Sequence, residues 1–138
     1  MEALREFLGI RRVVALWESR VDAQLGAVHG LGVSELAALH YIANAHGGRA
    51  RRVDIARALA LTPSGVTRLL GPLERRGILT REEDGNDARA TFSVLTRSGK
   101  SLVRDATETA TSIAESILGS LGAKDHAAFA RIAELGDG

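Results

Sequence analysis

Just after Gly77 the apolar residues stop recurring at helical spacing and begin to alternate. Upstream, "RRVDIARALA" brings Val53, Ala56 and Leu59 to one side of a short helix. A three-residue turn later, "TPSGVTRLLGPLERRG" (62–77) repeats the helical pattern with Val66, Leu69, Leu70 and Leu73. Downstream, in "ILTREEDGNDARATFSVLT", Ala90, Phe92 and Val94 alternate with Thr91, Ser93 and Leu95. The polar "EEDGND" between the two arms has the composition of a hairpin tip. Helix, tight turn, helix and hairpin in that order leave few ways to bury three apolar surfaces together.

The second of these helices holds both prolines of the chain and three of its glycines. Two of the five act as signals for the helix. Pro63 stands at a first helical position, where its missing N–H costs nothing, and Gly77 is a stop. Thr62 is placed to cap the first turn. Gly71-Pro72 is different, because a proline inside a helix removes a backbone bond and crowds the carbonyl four residues back, at about 3 kcal/mol. The sequence therefore predicts a kinked or loosened helix at Pro72, regular from Pro63 to Leu70.

The flanks read as longer helices. Phe7, Ile10, Val14, Trp17, Val21, Leu25 and Val28 form one stripe that "HGLG" ends. Ser34 is the expected cap of the next helix, with Leu36, Leu39 and Ala43 inward. Thr96 is the expected cap of a long helix carrying Leu102, Ala106, Ala110, Ile113, Ile117 and Leu121, and Phe129, Ile132 and Leu135 mark a short terminal one. The fold expected is mainly α with a small β-hairpin wing. Residues 33–96 form a winged helix-turn-helix lobe, and 1–32 with 97–138 form a helical region. The first and fifth helices carry more apolar face than one small core absorbs, so pairing with a second copy is expected.

Charge is unevenly spread. Residues 49–104 carry 12 basic and 6 acidic side chains, a net +6, between flanks of −1 and −4. A basic middle is the footprint of a polyanion-binding module. The chain lacks cysteine, which excludes disulfides, thiolate metal sites and thiol redox switches. No apolar run approaches a membrane span and the start lacks a secretory signal, so the chain is read as cytoplasmic, with no membrane partner.

Double-stranded DNA is the polyanion these residues fit. In such a unit the second helix enters the major groove and the first steadies it. Val66, Leu70 and Leu73 face the core, while Ser64, Thr67, Arg68 and Arg75 lie opposite. Arg68 matches the O6 and N7 acceptors of guanine, and Thr67 offers a hydroxyl or a methyl. Gly65 allows close backbone approach, and Arg51 and Arg52 open the preceding helix, where N–H groups favour a phosphate. On the wing, Asp87 and Arg89 are two apart on a strand and share a face. The Asp is placed to hold the Arg fork toward a narrow minor groove.

From "VDIARAL" through "LTPSGVTRLL", "LERRGILTR", "DAR" and "LTRSG", roughly residues 50–103, the chain closely resembles the DNA-binding lobe of the MarR family, the multiple antibiotic resistance regulators. The resemblance implies a homodimeric transcriptional regulator, by default a repressor, whose first, fifth and sixth helices form the dimerisation lobe. It implies a small effector in a crevice between the lobes. It carries groove reading to Ser64, Gly65, Thr67 and Arg68, and the wing contact to Asp87 and Arg89. Two departures stand out: Ala88 replaces an Arg frequent between the wing Asp and Arg, and Gly71-Pro72 replaces polar residues.

Arg11, Arg12, Trp17, His40 and Tyr41 are the effector candidates, offering cations and aromatic faces to a small anionic or aromatic compound. An enzyme is not expected, since "GKS" at 99–101 lacks the Gly that a phosphate loop needs at 94, where Val stands. A metal-responsive sensor would draw on His29, His40 and His46, but the last two are six apart on one helix, off the spacing that shares a face. Neither metal nor cofactor is expected. A winged helix used for protein contact is the other alternative, separable by salt dependence.

Overall fold

The computed structural model describes residues 1–137, without the side chains of Ala88 and Arg89. It is mainly helical with one small antiparallel sheet, as expected. Two compact units are present, residues 34–107 and residues 1–33 with 108–138.

The 34–107 unit contains α2 (Val33–Asn44, all but its first residue), β1 (Arg49–Arg51), α3 (Arg52–Ala58), α4 (Pro63–Arg75), β2 (Leu79–Asp84), β3 (Asp87–Leu95) and α5 (Arg97–Leu118) as far as Thr107. Its core takes Ala38, Leu39 and Ile42 from α2, Ile55 from α3, and Val66, Leu70 and Leu73 from α4. Ile78, Leu79, Leu95, Val103 and Ala106 are buried with them. Two inward faces differ from expectation. Val53 is exposed and Ile55 is buried, and on α2 the buried set is Ala38, Leu39 and Ile42 while Ala43 is exposed. In helices this short, one or two residues decide which face is inward, and tertiary packing chooses among near-equal stripes. α2 also starts at Val33, whose N–H donates to Asp22 Oδ1 at 2.6 Å, rather than behind a Ser34 cap.

The α3–α4 turn is tight. The Leu61 N–H donates back to the Ala56 carbonyl at 2.9 Å, and Ala60 adopts φ +53°. Thr62 then caps α4, its Oγ1 accepting the Gly65 N–H at 3.1 Å, with Pro63 as the first helical residue. α4 continues through Pro72 to Arg75, so the loosening expected there amounts to one missing backbone bond within a continuous helix. Leu70 and Leu73, both fully buried, anchor the helix on either side of the proline, and Gly71 spares it the Cβ crowding that precedes a proline. The bond from position 72 to the Arg68 carbonyl is still lost, because proline has no N–H.

The sheet has the order β1-β3-β2, antiparallel throughout. Arg49 faces Val94, Ala50 faces Ser93 and Arg51 faces Phe92. Ala50, Ser93 and Leu95 are buried, so Phe92 and Val94 belong to the outer face. Thr96 caps α5, accepting the Gly99 N–H at 3.0 Å and donating to the Gly77 carbonyl at 2.6 Å. Gly99 is required there, since a Cβ would lie 2.1 Å from the Ile78 carbonyl oxygen.

The other unit is built from α1 (Glu2–His29), the remainder of α5 and α6 (Ala123–Glu134). Leu25, Ile113 and Ile117 are buried, and Trp17 meets Phe129 with ring centroids 5.5 Å apart. Much of the rest of the apolar surface is uncovered. Phe7 is 64% and Ile10 53% exposed, and Leu4, Leu8, Leu16 and Val28 are exposed too.

Candidate nucleic-acid interface

α4 separates its residues cleanly. Val66, Leu70 and Leu73 are 0% exposed, whereas Ser64, Thr67, Arg68 and Arg75 are exposed. The buried triplet fixes the rotation of the helix about its axis, which sets the polar residues outward. Arg68 has no partner among the described residues. Ser64 Oγ sits 3.2 Å from the capping Thr62 oxygen. A Cβ on Gly65 would come within 3.2 Å of that same oxygen, so glycine lets the cap close as well as keeping the helix surface low.

Thr67 is held from two sides. Its hydroxyl donates to the Pro63 carbonyl at 3.2 Å and accepts from Arg52 Nη1 at 3.0 Å. The other arm of Arg52 reaches Glu74 Oε1 at 2.8 Å, and Glu74 also receives Arg81 Nη2 at 3.2 Å. Glu74 thus ties α3, α4 and β2 together. It is 22% exposed and Arg52 27%, so solvent screens this pair less than a surface pair.

Arg51 and Arg52 open α3, as the sequence led one to expect. Arg51 ends β1 and precedes α3, and Arg52 is the first helical residue. Both guanidinium groups are directed at carboxylates of this unit, Arg51 at Asp84 and Arg52 at Glu74. Two of the acidic wing residues, Glu82 and Asp84, are paired with arginines of the same strand, β1. Arg49 lies 3.8 Å from Glu82, Arg51 bonds Asp84, and the two guanidinium carbons stand 4.3 and 5.3 Å from the centre of the Phe92 ring. The Asn86 N–H, 2.9 Å from Oδ1, and the Arg51 guanidinium hold the Asp84 carboxyl below the usual carboxylate range, against the effect of its burial.

Asp87 is exposed at the start of β3, paired opposite Asp84. Arg89 belongs to the same strand, and its side chain lies outside the described residues. Sequence reasoning missed the Arg49–Phe92–Arg51 arrangement because β1 is three residues long, too short for a period. The alternation in "RAR" is the signal that was there.

The effector candidates are divided between the units. Arg11 and Arg12 are exposed on α1 and Trp17 packs on Phe129, whereas the exposed His40 and half-buried Tyr41 belong to α2. His29 Nε2 lies 2.8 Å from Thr109 Oγ1, and His46 begins a separate 3-10 helix (His46–Gly48) beyond α2, so it does not share one helix with His40 as expected. No group of three or more His, Asp or Glu placed to hold a metal occurs among the described residues. Nor, among them, is any helix long and apolar enough to cross a membrane.

Residues 29–90 match the model of the MarR family. Transcriptional regulator HosA of Escherichia coli O157:H7 is 30% identical over 81 residues, 59% of this chain and 60% of that protein. The match therefore spans less than two thirds of that relative's length. Among solved structures, Sco3205, a MarR family transcriptional regulator from Streptomyces coelicolor in complex with DNA, is similar at a TM-score of 0.87 and 21% identity, covering 97% of this chain and 84% of that one. BpsR of Bordetella bronchiseptica, whose DNA binding is regulated by 6-hydroxynicotinic acid, is similar at 0.79 and 22%, covering 91% and 87%. At such identities the structural likeness establishes the fold.

Proposed function

We propose that this chain, whose residues 29–90 match the model of the MarR family, is a homodimeric transcriptional regulator, by default a repressor, of a pseudo-palindromic stretch of double-stranded DNA. The observation that carries this reading is the outward face of α4, where Ser64, Thr67, Arg68 and Arg75 are exposed behind a buried Val66–Leu70–Leu73 triplet. Ser64, Gly65, Thr67 and Arg68 read base edges, Arg75 and the wing pair Asp87–Arg89 meet the backbone or minor groove, and Arg51 and Arg52 brace the frame behind them. Residues 33–96 are the DNA-binding lobe.

Residues 1–32 and 97–138 are the dimerisation region, supported by the uncovered apolar face from Leu4 to Leu16 on α1. A two-fold dimer puts the two copies of α4 in successive major grooves, about 34–36 Å apart. A small anionic or aromatic effector shifts that spacing and releases the DNA, a reading supported by the ligand of BpsR and drawing on Arg11, Arg12, Trp17, His40 and Tyr41. The protein acts in the cytoplasm, without a catalytic step.

Selection of bound sequences from random duplexes tests this. The outcome expected is an inverted repeat with half-site centres about one helical turn apart. Enrichment of a single unrepeated site would remove the dimeric reading, and no enrichment would remove DNA recognition.

A further inference from the structure

We infer that Arg52 fixes Thr67 so that it offers the DNA bases a hydrogen-bond acceptor and an apolar methyl surface, with Glu74 as the residue that positions Arg52. The inference rests on the DNA-reading role proposed for α4 and specifies its chemistry at one position.

A threonine hydroxyl has one proton and two lone pairs. In a helix it divides between two rotamers, one of which lets the hydroxyl bond the carbonyl of the preceding turn, and in a groove it can serve acceptors and donors alike. Here two of its three directions are taken. The proton points to the Pro63 carbonyl at 3.2 Å, and one lone pair receives Arg52 Nη1 at 3.0 Å. What is left for a ligand is one lone pair and the γ-methyl. The proton cannot turn toward Arg52, which is itself a donor. To turn it toward a base would leave a lone pair of Oγ1 facing the Pro63 carbonyl oxygen, with the rotamer pinned so that Oγ1 cannot retreat.

Arg52 is itself kept in place. Its second arm bonds Glu74 Oε1 at 2.8 Å, and Glu74 is braced by Arg81, with Nε 3.3 Å from Oε1 and Nη2 3.2 Å from Oε2. A guanidinium spans the gap between the carboxylate and the hydroxyl because its donors are fixed in a planar fork, which a lysine lacks. Thr67 so held fits the exocyclic amines of cytosine and adenine and the methyl of thymine, and refuses the O6 and N7 acceptors of guanine.

The experiment uses the intact protein. Selected duplexes are compared for wild type and Thr67→Val to find the base pair whose preference depends on the hydroxyl. At that pair, analogues that lack the exocyclic amine of adenine or cytosine, or deoxyuridine for thymidine, are expected to weaken wild-type binding about three- to tenfold. 7-Deazaguanine is expected to leave it unchanged. In Arg52→Ala and Arg52→Lys, sensitivity to the analogues at that pair disappears while preferences at other pairs persist, and Glu74→Gln moves the same way. Three results overturn the inference: loss of binding with 7-deazaguanine alone, no pair dependent on Thr67, or Arg52 variants that weaken every pair equally. The analogue arm needs no variant to fold. If wild type enriches no sequence at all, the DNA-binding reading itself fails, which is a distinct result.

Discussion

Arg51, the last residue of β1, donates to the buried carboxyl of Asp84 at the end of β2, two strands away across β3. Asp84 also closes the wing turn by accepting the Asn86 N–H. One carboxylate thus sets both the turn and its attachment to the start of α3. Its folded pKa lies below the ordinary 3.8, so its contribution is full above the unfolded pKa and is lost as pH falls through the folded one. Asp84→Asn is expected to lower the melting temperature at pH 7, and the gap from wild type is expected to close in acid below that range. A gap that persists unchanged at low pH would assign the effect to shape rather than charge.

Ala60 holds φ +53° in the turn that orients α4 on α3. A Cβ in the left-handed region costs roughly 1–2 kcal/mol, and glycine removes that cost while adding about 0.5–1 kcal/mol of unfolded-state entropy. Ala60→Gly is expected to raise stability by about 0.5–1 kcal/mol, read from urea unfolding at constant m. A loss of stability would mean that the turn is not strained.

Pro72 deprives the Arg68 carbonyl of its helical partner while α4 runs on to Arg75. Pro72→Ala restores that N–H and is expected to add about 1–3 kcal/mol to stability. Equal or lower stability would show that packing of the half-buried ring offsets the bond.

Arg68 and Arg89 are expected to fail differently. Arg68→Ala should cost about 1–3 kcal/mol of DNA affinity and blur preference at one base pair. Arg89→Ala should weaken all sequences alike and reduce the salt slope by about one. Identical profiles for the two variants would remove the division of labour between helix and wing.

The helix-turn-helix and hairpin were legible because each announces itself locally. Thr62-Pro63 starts α4, Gly77 ends it, and "DGND" marks the wing turn. Val66, Leu70 and Leu73 alone settle which side of α4 is outward. The charged frame behind that face was not legible, because Arg52 with Glu74 and Arg51 with Asp84 are partners 22 and 33 residues apart. The two arginines that open α3 also bond carboxylates that only the folded sheet and helix pair bring near. The helix runs on past Pro72 for a related reason, since two buried leucines hold it in a way no local rule records.

The most direct test of DNA recognition by α4 is the affinity of the full chain for a selected duplex and for a scrambled one, from about 50 to about 200 mM salt. Log affinity for both should fall linearly and steeply with log salt, with the selected duplex staying tighter throughout. Affinities that are equal for the two duplexes and flat with salt would contradict it and leave the wing and α4 as a protein-contact surface.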